Sequence, residues 1–346
     1  MKLAQPGTVA ARAIRGAAGS PIRLDLLGNP YGPSLHVFDA LGGCDELYLP
    51  AEVRAVSLQR RLAETLGVPP SWLFLANGLE ELVGLILLWR QERGPIVLGP
   101  PSTGAYGRIA RAHRCDVVMV RRGPSFGLEL DVETAAELPT SSTALIDSPN
   151  DPTGNVLGSQ ETVRLARACD LVVIDERHGE YTGRTLLPLV REFDNLLILR
   201  SFETWAGLAG LPLAFAVGPP KLIAELSSVC SGDGPAMGAV VAAAATLDDL
   251  AYVRATVSRV REERSRLYRM LRKLNMLRPF PSLANFVAAR VERGGADRIS
   301  RELADRDILV HRPIDCGLEH FIRVSATRPE QTDALKRALV EIAAGL

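Results

Sequence analysis

Between residues 95 and 218, short apolar runs alternate with helical segments. PIVLG (95–99), DVVMVRR, TALID (143–147), LVVIDE (171–176), NLLILRSF (195–202) and LAFAVG (213–218) read as strands. GAYGRIARAHRC and SQETVRLARACD lie between them and space their apolar residues as helices do, with Ser159 as a candidate N-cap and Glu161 in the first turn. Near-continuous apolar strands separated by amphipathic helices require a parallel or mixed sheet covered on both faces. In such sheets ligands sit beyond the carboxyl ends of the strands. Three polar turns follow strands here, SPNDPTG, DERHGEY and SFETWAG, and the alternation gathers them around one candidate site.

The flanking segments follow other patterns. Residues 1–50 are rich in Gly and Pro, and LGNPYGPS (27–34) is turn chemistry. AEVRAVSLQRRLAETLG is an amphipathic helix, whereas NGLEELVGLILLWRQER opens on a glycine and is apolar on most faces, as buried helices are. LDDLAYVRATVSRVREERSRLYRMLRKL (247–274) reads as one long helix connecting two lobes. ANFVAARV, ILVHRP and FIRVSAT alternate with the helices DRISRELADRD and PEQTDALKRALVEIAA. The predicted division is a large domain over 35–245 and a small α/β domain built from 1–34 and 246–346, with 246–274 as the connecting helix.

Composition narrows the function. Forty Lys and Arg balance forty Asp and Glu, so no basic footprint argues for nucleic acid. The five cysteines are widely spaced, odd in number and form no CxxC pair, which argues against a disulfide framework or a zinc knuckle and for a reducing, cytoplasmic setting. No apolar run approaches the roughly 18 residues of a membrane span, and the first segment does not read as a signal peptide. Only four of the basic residues are lysines: Lys2, Lys221, Lys273 and Lys336. Chemistry that needs a buried lysine has only these candidates. His36, His113, His311 and His320 make no metal-ligand spacing, and no metal is expected.

In this order, the segments resemble the fold type I aminotransferases that use pyridoxal phosphate (PLP), and among them the histidinol-phosphate aminotransferase and threonine-phosphate decarboxylase group. NPYGPS resembles their N-terminal motif. NGLEELV resembles the helix start whose amides bind the cofactor phosphate, which implies Gly78, Leu79 and Glu80 as cofactor-binding positions. SPNDPTGNV resembles the Asn-Pro-Thr-Gly motif, VVIDERHGEY the Asp-Glu-Ala-Tyr segment, RSFETWAGLAGLPLAFAVG the lysine motif with its GLAGLR continuation, and FIRVSAT the strand carrying the substrate-carboxylate arginine. The resemblance implies a mostly parallel seven-stranded sheet plus a smaller α/β domain. It also implies a homodimer in which the segment around Tyr48 reaches the neighbour's cofactor phosphate.

Residue by residue, the cofactor set departs from the family. Thr204 stands at the Schiff-base lysine, and a hydroxyl cannot form an imine. Glu203 replaces the serine beside it and Pro212 the phosphate-binding arginine. Asp151 replaces the asparagine of Asn-Pro-Thr-Gly, after Asn150, and His178 the tyrosine of Asp-Glu-Ala-Tyr. Thr103 stands at the stacking ring, although Tyr106 keeps the next aromatic. Asp175, the partner of the pyridine nitrogen in the family, is kept, as are Gly78 and Arg323, the carboxylate clamp.

Asp175, His178, Glu203 and Asp151 are therefore expected at one cleft. They are open to three readings: an acid/base or amine-binding set, a cation site, or a pocket filled by salt bridges to Arg177, Arg200 or Arg184. With Thr204 the first three are the catalytic candidates. Arg323, Asp151, Asn150, Tyr106 and Trp205 are the substrate-binding candidates. Arg323 either grips a carboxylate or forms a structural ion pair, and the Trp205 ring either enters the space PLP leaves or packs in the core. The expected function is PLP-independent or borrowed-cofactor chemistry on a small amino-acid-like or carboxylate substrate in a biosynthetic pathway. The alternatives are a non-catalytic partner of an active paralogue and an aminotransferase working with pyridoxamine phosphate. No covalent cofactor, nucleic acid or membrane is expected.

Overall fold

Strand β5 (Thr143–Asp147) and strand β6 (Leu171–Asp175) are buried along their whole length and run parallel, with Asp147 and Asp175 as register partners at their ends. In this computed structural model, which describes residues 20–102, 104–230, 234–314 and 317–345, they form the centre of a seven-stranded sheet. Its other strands are β2 (Leu73–Ala76), β3 (Ile96–Leu98), β4 (Val117–Met119), β7 (Leu196–Ser201) and β8 (Ala214–Val217), in the order β2-β8-β7-β6-β5-β3-β4. Only β8 runs against its neighbours; the other pairs are parallel. Helices cover both faces. The apolar Leu79–Arg90 packs on one through Leu82, Val83 and Ile86, and Ser159–Ala168 packs on the other through Leu165. The α/β class expected from the strand–helix alternation is the observed one.

A second, antiparallel sheet has the order β12-β10-β9, from β9 (Leu277–Pro279), β10 (Phe286–Val291) and β12 (Phe321–Ser325). Strand β1 (Ile22–Leu24) pairs in parallel with β11 (Ile308–Val310), so the N-terminal segment does join the C-terminal part of the chain. Among the described residues no helix is long and apolar enough to cross a membrane.

Two local expectations are corrected. Gly158, not Ser159, holds the N-cap position of the helix Ser159–Ala168. The long connecting helix is one continuous helix, but it spans Leu250–Leu271 and starts later than expected: Leu247 and Asp248 close the preceding helix Met237–Asp248, and Asp249 separates the two, its backbone leaving helical geometry and its carboxylate accepting from the Tyr252 amide. An Asp side chain that caps the following turn competes with helix continuation, which apolar periodicity does not register.

Candidate functional site

The helix Leu79–Arg90 begins at Gly78, at the edge of a cleft of about 550 Å³ beside the ends of β6 and β7. Gly78 adopts φ +84°, and a Cβ there would lie 2.9 Å from the Cβ of Pro212 and 3.1 Å from Glu203 Oε1, so only glycine fits. The Leu79 amide donates to Glu203 Oε1 at 3.2 Å. A carboxylate of the chain thus caps the positive end of this helix. Glu80 points to solvent, and Tyr48 is 81% exposed.

Beyond β6, Asp175 is fully buried. Its Oδ1 accepts the Arg177 amide at 2.8 Å, and its Oδ2 accepts Arg177 Nε at 2.7 Å and the Tyr106 hydroxyl. Arg177 Nη2 donates to the Tyr106 oxygen at 3.0 Å, and the guanidinium stands 5.8 Å from the Tyr106 ring centroid. Burial alone would oppose the Arg177 charge, but Asp175 and Tyr106 more than reverse this and hold its pKa well above the ordinary arginine value. Burial pushes the Tyr106 hydroxyl up as well. On the adjacent strand, burial raises Asp147 to about 7 despite Arg122, whose Nη2 is 3.4 Å from it.

Arg323, at the centre of β12, is also engaged. Its Nη1 donates to both carboxylate oxygens of Asp151, at 2.6 and 2.8 Å, its Nη2 donates to the Asp25 carbonyl at 2.8 Å, and its guanidinium stands 5.3 Å from the Phe286 ring. Burial would raise the Asp151 carboxyl; Arg323 outweighs it and holds the group below its ordinary value. His178 lies beside them, 1% exposed and edge-on to Phe286 at 5.5 Å, with both ring nitrogens lacking a hydrogen bond among the described residues. Burial lowers its pKa to about 4, so the ring is neutral at pH 7. Asn150 is turned inward, donating to the Pro101 carbonyl and to Thr153 Oγ1.

At the end of β7, the Thr204 hydroxyl donates to the Arg177 carbonyl at 2.6 Å. The Thr204 carbonyl accepts from the Asn29 amide at 2.8 Å and from the Tyr181 hydroxyl at 3.3 Å. Asn29, from NPYGPS, also donates through Nδ2 to the Trp205 carbonyl and to Thr256, so the N-terminal motif fixes this turn.

The expected residues adjoin one another, but only some of them line the open cleft. Leu79, Glu203 and Thr204 line the cleft together with Arg177 and Ser201. Asp175 and His178 are fully buried, and Asp151 is sealed against Arg323. Trp205 lies on Phe202, with ring centroids 5.0 Å apart, and lines a second cavity of about 360 Å³ with Leu62, Val253 and Val257. Thr103 lies outside the described residues. Among the described residues no three His, Cys, Asp or Glu side chains are grouped to hold a metal ion. Two residues not singled out as site groups matter here: Arg177, which stands at the alanine of Asp-Glu-Ala-Tyr, and Asp147, whose signal was its place at the end of TALID beside Asp175.

Known proteins share this architecture. Residues 45–339 match the family model "Aminotransferase class I and II". Histidinol-phosphate aminotransferase from Dehalococcoides mccartyi is 31% identical over 323 residues, covering 93% of this chain and 90% of that one. The histidinol-phosphate aminotransferase of Sinorhizobium meliloti, solved in complex with pyridoxal-5'-phosphate, superposes with a TM-score of 0.82 at 23% identity, covering 99% of this chain and 96% of that one. L-threonine-O-3-phosphate decarboxylase from Porphyromonas gingivalis superposes with a TM-score of 0.79 at 20% identity, covering 93% and 99%. With a family model matching most of its length and relatives above 30% identity, this chain belongs to the class I and II aminotransferase family.

Proposed function

We propose that this chain is a family member that forms no lysine Schiff base with PLP and instead holds a small molecule non-covalently in the cleft lined by Arg177, Ser201, Glu203 and Thr204. The observation that carries this reading is Thr204, whose hydroxyl is committed to the Arg177 carbonyl where the resemblance has its lysine. PLP, when bound, supplies an electron sink to its substrate. To hold it as a Schiff base, a chain needs a nucleophilic amine, a free acid for the ring nitrogen and a free anion site. Here Lys221, Lys273 and Lys336 are exposed and line no part of the cleft, and Lys2 lies outside the described residues. Asp175 is paired with Arg177, and Glu203 accepts the Leu79 amide at the helix start. These residues do not fit the cofactor.

The exposed Leu35, Phe38, Leu47, Tyr48, Val53 and Val56, all within 22 residues of sequence, favour the homodimer that the family resemblance implies. The two-lobe division at residues 35 and 246, and a cytoplasmic location, are part of the same proposal. The test is chemical. The purified chain is incubated with PLP, reduced with borohydride and digested. No phosphopyridoxyl group is expected at any of the four lysines, and finding one overturns the reading. Light scattering at micromolar concentration is expected to give a dimer.

A further inference from the structure

We propose that the chain occupies its own cofactor pocket, with Arg177 taking the place of a ring cation on Asp175, Glu203 that of a phosphate at the amide of Leu79, and Asp151 that of a substrate carboxylate on Arg323. This deepens the reading above and rests on it. The absence of an imine leaves a phosphorylated pyridine free to bind non-covalently; self-occupation excludes that too.

The charges agree in sign. Each of the three replaces an uncharged residue of the motifs: Arg177 an alanine, Glu203 a serine, Asp151 an asparagine. Each carries the sign of the ligand group it displaces, positive at the ring and negative at the two anion positions. Geometry agrees as well. The guanidinium is flat and delocalised, and it meets Asp175 through Nε at 2.7 Å and Tyr106 through Nη2 at 3.0 Å, while standing 5.8 Å from the Tyr106 ring. Such a planar cation suits a slot shaped for an aromatic ring. The Glu203 carboxylate accepts from the Leu79 amide, and Asp151 meets Arg323 through both oxygens.

Energetics explains why the set goes together. Asp175 is fully buried and Arg323 nearly so. A buried charge without a counter-charge is strongly destabilising. A pocket that kept these two residues while losing its ligands would hold two uncompensated charges. Arg177 and Asp151 supply the missing partners, so the folded state needs no ligand to be neutral there. The Thr204 hydroxyl, donating to the Arg177 carbonyl, fixes the backbone from which the surrogate cation reaches back.

Pyridoxamine 5'-phosphate is the suitable probe. It carries the ring and the phosphate but an amine in place of the aldehyde, so it reads the pocket and not the lysines. Calorimetric titration of the full chain is expected to show no binding to the wild type or to Thr204→Lys. The double variant Arg177→Ala with Glu203→Ser is expected to bind at least ten-fold more tightly than either. Wild type binding as tightly as the double variant overturns self-occupation. So does a double variant that melts cooperatively yet binds no better. Should the double variant not fold, Glu203→Gln decides: inorganic phosphate is expected to raise its melting temperature more than that of the wild type, and equal shifts overturn the proposal. A borohydride-trapped lysine adduct on the wild type would instead sink the reading beneath it, so the two failures are distinguishable.

Discussion

Replacing Asp151 with alanine removes the only carboxylate that meets Arg323 among the described residues, and its cost follows from the geometry. The pair joins residues 172 apart, with both carboxylate oxygens on one guanidinium nitrogen at 2.6 and 2.8 Å and side chains 5% and 16% exposed. Breaking a buried ion pair from one side costs about 3–5 kcal/mol, because the remaining charge stays buried. Here the Asp25 carbonyl and the Phe286 ring still face Arg323, and Asp151 is partly exposed, so the low end, about 3 kcal/mol, is expected. At roughly 2 °C per kcal/mol for a chain of this size, the melting temperature falls by about 6 °C. Chemical denaturation should show the same loss as a lower midpoint at unchanged slope. Two further measurements separate lost charge pairing from general damage. Added acetate should raise the melting temperature of the variant more than that of the wild type, since its carboxylate can return to Arg323. Asp151→Ala with Arg323→Met should recover most of the loss, because no unpaired charge remains. A variant within 1 kcal/mol of the wild type and with the same acetate response would refute the pairing.

His178→Phe tests the buried imidazole. The unfolded chain takes up its proton near the ordinary value of 6.5 and the folded chain only near 4, so His178 contributes stability above pH 6.5 that is lost as the pH falls toward 4, on the order of 3 kcal/mol in all. Asp147 and Glu180, both raised to about 7 by burial, act in the opposite sense in both proteins and drop out of the difference. The gap in urea midpoint between variant and wild type should therefore open from pH 6.5 to 4, and a constant gap would sink the assignment. Gly78→Ala should cost about 1–3 kcal/mol through its φ of +84° and its contact with Pro212, and an unchanged thermal melt would contradict that crowding.

Legibility in the sequence followed the range of the forces involved. TALID spans 143–147 as read, and PEQTDALKRALVEIAA spans Pro329–Ala344, because burial pattern and a proline start are local signals. Strands β1, β2 and β9, of three or four residues each, carry little pattern of their own: β1 and β2 owe their form to partners about 286 and 140 positions away, and β9 to its hairpin partner β10. The break at Asp249 escaped for the opposite reason, since one side-chain cap outweighs a periodicity that continues through it.

At the site, the replaced positions were visible one by one, and Arg177 was among the arginines named as salt-bridge partners, but the division of labour was not. Arg200 takes Glu176 and Glu180, which leaves Asp175 to Arg177. Sequence spacing does not distinguish these pairings, because a guanidinium two residues after an aspartate can turn outward as readily as back. The choice is made by desolvation. Asp175 sits at the end of a strand buried on both faces, where an unmatched carboxylate is costly, and the equally buried Glu176 is matched, with Glu180, by Arg200. The strand that buries Asp175 therefore also selects the cation beside it. What that cation displaces is a question of shape and charge in three dimensions, and the answer is carried by the fork from Arg177 to Asp175 and Tyr106.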